Sequence, residues 1–119
     1  MTGCVEKGVE GPTLSASKPL EVYAEASGIA LSVELDGGSV VRGENALWVR
    51  LSAEDATLEG VNAVMPAHGH DTAAATLELS DDGYHVTGLL LFMPGRWEVT
   101  LELEVGAMLD RASFSVDVP

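Results

Sequence analysis

Arg96-Trp97-Glu98-Val99-Thr100-Leu101-Glu102-Leu103-Glu104-Val105 is the stretch that decides the fold. Trp97, Val99, Leu101, Leu103 and Val105 are apolar, and the residues between them are charged or hydroxylated. Successive side chains of a strand project to opposite faces, so strict period-two alternation marks a strand with one dry and one wet face. Ser113 to Val118 repeats the pattern, with Phe114, Val116 and Val118 inward and Ser113, Ser115 and Asp117 outward. Upstream, Ile29, Leu31, Val33 and Leu35 alternate with Ala30, Ser32, Glu34 and Asp36, and Leu47, Val49 and Leu51 with Trp48, Arg50 and Ser52.

Further strands are predicted at Leu58–Met65, Ala74–Leu79 and Tyr84–Leu91. Turn-forming clusters separate them: Asp36-Gly37-Gly38-Ser39, Arg42-Gly43-Glu44-Asn45, Ser80-Asp81-Asp82-Gly83 and Met93-Pro94-Gly95. Asp82-Gly83 between two β runs signals a hairpin. No stretch carries a sustained apolar stripe at helical spacing. About seven short strands with turns at near-regular intervals predict an all-β fold, an immunoglobulin-like antiparallel β-sandwich.

The chain has 119 residues, enough for one domain with a proper core, and is 46% apolar but only 5% aromatic. The core must therefore rest on Val, Leu, Ala and Ile. No apolar run approaches the roughly 20 residues that span a bilayer. With 19 acids against 6 bases, the formal net charge is −13. That surface repels phosphate backbones and argues against nucleic-acid binding. The acids are scattered along strands, without the spacing of a calcium loop.

Cys4 is the one cysteine, so no disulfide within the chain is expected. Thr2-Gly3-Cys4 has the small-small-Cys ending of a bacterial lipoprotein signal, in which the cysteine is lipidated. Met1 stands where a leucine is usual, and is read as a start codon replacing a removed signal segment. A thiol in a plain tail is the alternative. Residues Val5 to Lys18 have Gly, Pro, Ser, Glu and Lys and little apolar pattern, so residues 1–18 are expected to form a flexible tether, with the sandwich at 19–119. The chain would then be a periplasmic or other envelope protein that meets the membrane only through a lipid anchor.

Chemistry concentrates in Met65-Pro66-Ala67-His68-Gly69-His70, which holds two of the three histidines. Thioether and imidazole together favour copper over magnesium or calcium. In extended backbone His68 and His70 lie on one face, about 7 Å apart along the chain. Connections cluster at the ends of a sandwich, so one end can gather Met65, His68, His70 and Met93 around a copper ion. A plain polar His-Gly-His loop, and core positions for Met65 and Met93, remain the alternatives. His85 reads as a solvent-facing strand residue. No nucleophile elbow, zinc-protease helix or phosphate loop occurs, and no pair of carboxylates is set in apolar surroundings, so no enzyme activity is expected.

The run from Asn45 to Val118 resembles the YtkA-like domain family of bacterial envelope proteins. The resemblance rests on the strand ending in Met65-Pro66, the histidine loop at 68–70, the turn Asp82-Gly83-Tyr84, and Phe92-Met93-Pro94-Gly95-Arg96-Trp97-Glu98-Val99. It implies an exported, often membrane-tethered immunoglobulin-like sandwich associated with copper handling or respiratory oxidase assembly. Met65 and Pro66 match the family's Met-Pro pair, and Gly95 and Trp97 its Gly-x-Trp element, with Trp97 as a packing residue. Many relatives carry a second methionine in the loop where Ala67 and His68 stand here, which shifts expectation toward mixed His/Met binding. The copper-carrying CopC sandwich is similar in class, but its N-terminal histidine has no counterpart here. The expected function is copper binding for transfer or storage, with a second envelope protein as partner. The alternative is a metal-free interaction module of an envelope or respiratory-assembly complex.

Overall fold

In the computed structural model, which describes residues 12–15, 18–65, 70–72 and 74–119, the alternating stretches become nine β-strands. These are β1 (Leu20–Tyr23), β2 (Ala30–Leu35), β3 (Gly43–Leu51), β4 (Ala56–Met65), β5 (His70–Asp71), β6 (Thr76–Ser80), β7 (Gly83–Leu91), β8 (Gly95–Val105) and β9 (Met108–Val118). They form two antiparallel sheets, ordered β1-β2-β3-β7-β6 and β5-β4-β8-β9. Without β1 and β5, seven strands remain. The first, second, fifth and fourth of these share one sheet, and the third, sixth and seventh share the other. This is the connectivity of an immunoglobulin-type sandwich. β1 adds an edge strand, and β5 is a two-residue return beside β4.

The dry faces are those the alternation marks. On β8, Trp97, Val99, Leu101 and Leu103 are at most 1% exposed, and on β9, Phe114, Val116 and Val118 are buried. Leu31, Val33, Leu47, Val49, Val86 and Leu89 close the seam from the five-stranded sheet. Val105 and Leu51, at strand ends, are only half-buried. β6 begins at Thr76, later than the expected Ala74. The chain ahead of it still belongs to the other sheet: Thr72 N–H donates to Ala63 O at 3.0 Å and Ala75 N–H to Val61 O at 2.9 Å. The chain crosses between sheets just after Ala75.

The β6–β7 hairpin turns through Asp81 and Asp82, with Gly83 following at φ +123°. A Cβ at Gly83 would stand 2.7 Å from the Val49 carbonyl oxygen, so only glycine fits there unstrained. Asn45, one of two buried polar side chains among the described residues, organises the approach to β3. Its Oδ1 accepts from Val41 N–H at 3.0 Å, and its Nδ2 donates to Val41 O at 2.8 Å and Gly43 O at 3.1 Å. All but one of its hydrogen-bonding positions are thereby used, which offsets the cost of burying an amide.

The boundary expected at Pro19 moves. Residues 12–15 lie alongside β9, pairing in parallel at Thr13 and Ser115. Leu14 N–H donates to Ser115 O at 2.9 Å, and Ser115 N–H to Pro12 O at 2.7 Å. Leu14 is 3% exposed and part of the core, and Ser115, expected to face water, is 4% exposed. Among the described residues, the packed part therefore extends at least from Pro12. One leucine in a polar stretch has no periodicity to reveal it, which is why the expected tether ran on to residue 18. The rest of that tether, including Cys4 but excepting Lys18, lies outside the described residues.

At the opposite end from the Met-Pro turns, Asp110 holds the β1–β2 loop. Its carboxylate accepts from the backbone N–H of Ala26 at 2.9 Å, Ser27 at 2.8 Å and Arg111 at 2.8 Å. The Ser27 hydroxyl and these N–H groups hold the carboxyl well below the ordinary carboxylate range, since they favour the charged form.

Two outcomes follow from this packing. Leu14→Ala should lower stability by about 2–5 kcal/mol, read by urea denaturation. Loss of less than about half a kcal/mol would show that residues 12–15 are not packed. For Asp110, a depressed folded value means stability present above the unfolded value near ~3.9 and lost as pH falls through the folded one. The Tm difference between wild type and Asp110→Asn should therefore shrink on acidification below about pH 4. A constant difference down to pH ~2 would contradict the assignment.

Candidate functional site

β4 alternates to its end, so Val61, Ala63 and Met65 all face the core, and Met65 is 2% exposed. The chain then reverses, and β5 returns antiparallel with His70 opposite Met65 and Asp71 opposite Val64. Thr72 pins the return through its Oγ1, which accepts from Ala63 N–H at 3.2 Å. Pro66 and His68 lie outside the described residues. For His70 the backbone pairing alone is described.

β8 starts at the same end. Gly95 has φ +127°, and a Cβ there would stand 2.8 Å from the Met65 Cε. The Met65 methyl thus occupies the room that any other residue at 95 would fill. Two residues on, the Trp97 indole N–H donates to the Met93 carbonyl at 3.0 Å. Phe92 meets the same indole edge-on, with centroids 5.3 Å apart. Met93 is half-buried against the core. One end of the sandwich therefore carries Met65, the backbone of His70, and the Met93-Pro94-Gly95 turn. The Met65 side chain is enclosed there as part of the hydrophobic core.

His85 lies elsewhere, on the outer face of the five-stranded sheet. It stacks on Trp48 with centroids 4.5 Å apart and an interplanar angle of 23°. Its Nε2 is 2.6 Å from Asp36 Oδ2, and the Arg50 guanidinium lies over the Trp48 ring, 5.9 Å from the centroid. Arg50 also reaches Glu34 at 3.3 Å. Sequence reading placed Trp48 and His85 on outward positions of two separate strands. Their meeting depends on the β3–β7 register, which puts Trp48 opposite His85 and is not readable from either strand alone.

An open concavity of about 630 Å³ is lined by Glu25, Glu59, Glu102, Asp110 and Arg111, among others, on the side away from the methionine turns. Its Asp110 is already committed to backbone N–H groups. Among the described residues, no group of three or more His, Cys, Asp or Glu side chains converges to hold a metal. Methionine sulfur is not among those ligand types, and His68 lies outside the described residues. The other displaced titration among the described residues is Tyr23, raised by its hydrogen bond to Glu21 and by that residue's charge.

Known family models, characterised proteins and solved structures were compared with the chain, and none matches. None of the three identifies the family that the motifs resemble.

The Gly95 geometry predicts a specific response. Gly95→Ala should destabilise the domain by about 1–3 kcal/mol through its positive φ. It should also move the Met65 methyl resonance in the metal-free protein, because the new Cβ takes that methyl's place. An unmoved Met65 methyl would show that the two residues are not in contact.

Proposed function

We propose that this chain is a copper-binding domain of the bacterial cell envelope, of YtkA-like type, which holds the ion at the methionine-histidine end and passes it to a second envelope protein. The observation that supports this reading is the convergence at one end of Met65, the His70 backbone and the Met93-Pro94-Gly95 turn, fixed by the β4–β5 register and the Gly95 contact. His68 and His70 supply imidazole, and Met93 and Met65 supply thioether, a set of the softness that copper prefers. Strands β4 and β8 hold Met65 and the Met93-Pro94-Gly95 turn at this end. No bond is made or broken in a substrate. Cys4 is the lipid anchor of the exported form, which places the domain in the periplasm or at the envelope surface.

A second reading, a metal-free interaction module, is favoured by one observation. Val41 is 45% exposed, Leu90 48% and Phe92 41%, and all three lie toward this same end. Exposed apolar side chains suit contact with another protein, although Leu79 at 69% and Leu109 at 82% are more exposed and lie toward the other end. They also suit the docking step of metal transfer, so the metal decides between the readings.

The test compares wild type with the His68→Ala, His70→Ala double variant in competition with a chelator of known copper affinity. Wild type should bind copper, and the double variant should lose it. Imidazole binds metal only when neutral, so affinity should fall as pH drops through the ordinary histidine range near ~6.5. Zinc should bind more weakly, because thioether adds little for it. Equal copper affinity in both proteins, or none in either, removes the metal reading and leaves the interaction module.

A further inference from the structure

Among the described residues, three of the four sheet edges are covered or very short. The chain itself meets the outer side of β9: Leu14 N–H donates to Ser115 O, Ser115 N–H to Pro12 O, and Glu25 N–H to Arg111 O. β4 is flanked by the two residues of β5 and then by Thr72 and Ala75, whose N–H groups reach Ala63 O and Val61 O. β1 has four residues and follows Pro19, and a short strand beside a proline is a poor template for further pairing. β6 has none of these protections. It is the last strand of its sheet, and Thr76-Leu77-Glu78-Leu79-Ser80 contains neither proline nor lysine. All five residues pair with β7 in unbroken register, so no bulge turns the edge away.

The β6–β7 register fixes what this edge presents. Its two-residue turn makes Ser80 and Gly83 a hydrogen-bonded pair. Bonded pairs recur at every second residue, so Ser80, Glu78 and Thr76 direct their N–H and C=O groups to β7. Leu77 and Leu79 direct theirs to the open side. The Leu77 side chain is half-buried against the core, and Leu79, next on the same face, is 69% exposed. Glu78 lies on the wet face opposite His85, and Asp81 and Asp82 follow at the strand end.

We infer that β6 is a docking edge for an extended segment of a partner protein in which apolar residues alternate with lysine or arginine. The backbone groups of Leu77 and Leu79 supply the new ladder, as in strand addition to other open edges. The segment's apolar residues continue the inner face and take Leu79 out of water. Its basic residues then fall on the outer face, beside Glu78 and along Asp81 and Asp82. Charge selects this occupant over a second copy, because pairing β6 with β6 brings together two acidic edges on chains of net charge −13. The edge is apart from the methionine end, and the inference does not depend on copper.

The test titrates the amidated peptide Lys-Val-Lys-Val-Lys-Val-Lys into the full chain and follows backbone amide exchange by NMR. In the free protein the Leu77 and Leu79 amides should exchange fast, and bound peptide should slow both. Leu79→Pro removes an edge N–H and no bond to β7, so the fold should persist while affinity falls about tenfold or more. Leu79→Lys, at an exposed position, sets a like charge against the peptide and should weaken binding to a similar degree. Equal affinity in wild type and Leu79→Lys, or peptide-induced protection that omits Leu77 and Leu79, marks general attraction to an acidic surface and overturns the inference. Absence of binding by wild type overturns it as well. So does protection of both amides without peptide, which would show the edge covered by another part of the chain or, if it grows with concentration, by a second copy.

Discussion

The dry face of β8 is the constraint on which the rest of this domain depends. β8 pairs with β4 on one side and β9 on the other, so its eleven residues set the register of the whole four-stranded sheet. Its inward residues Trp97, Val99, Leu101 and Leu103 can be removed from water only by a second sheet. The five-stranded sheet supplies that cover, and the chain must cross between layers to build it. The crossing after Ala75 and the turns on either side of β8 are where the chain leaves regular structure. The turn that precedes β8, together with the end of β4, forms the end that carries Met65 and Met93.

The sequence reading succeeded where a pattern lay within one strand. The alternation from Arg96 to Val105 gave a strand, its buried face and, with its counterparts, the sandwich. Trp97 at the head of that face is fully buried, and its N–H is used by the Met93 carbonyl, which fixes the following turn. Reading failed where the outcome depends on two segments at once. Leu14 is a single apolar residue among polar ones, and only the slot in the opposing sheets explains its burial. The Trp48–His85 stack needs a register that neither strand encodes alone. Met65 at Gly95 is the most informative such case: glycine in a Met-Pro-Gly turn reads as a turn former, but its lack of a side chain also makes room for a methionine thirty positions away.

At the candidate site, strand ends were legible and side-chain partnership was not. The Met-Pro pairs flagged two turns, and the fold brings those turns to one end. The Met65 thioether is enclosed by Gly95 and the core, so it lies inside the end while Met93 lies at its rim. The acidic outer surface draws cations toward the domain in general, without selecting among them.

The four methionines give the most direct measurement, because two sit at the proposed site and one, Met108, is 53% exposed at the opposite end. With methyl-labelled methionine, one equivalent of Cu(I) should shift the Met93 and Met65 resonances and leave Met108 in place. Unmoved Met93 and Met65 methyls, or a shift confined to Met108, would contradict copper binding at this end.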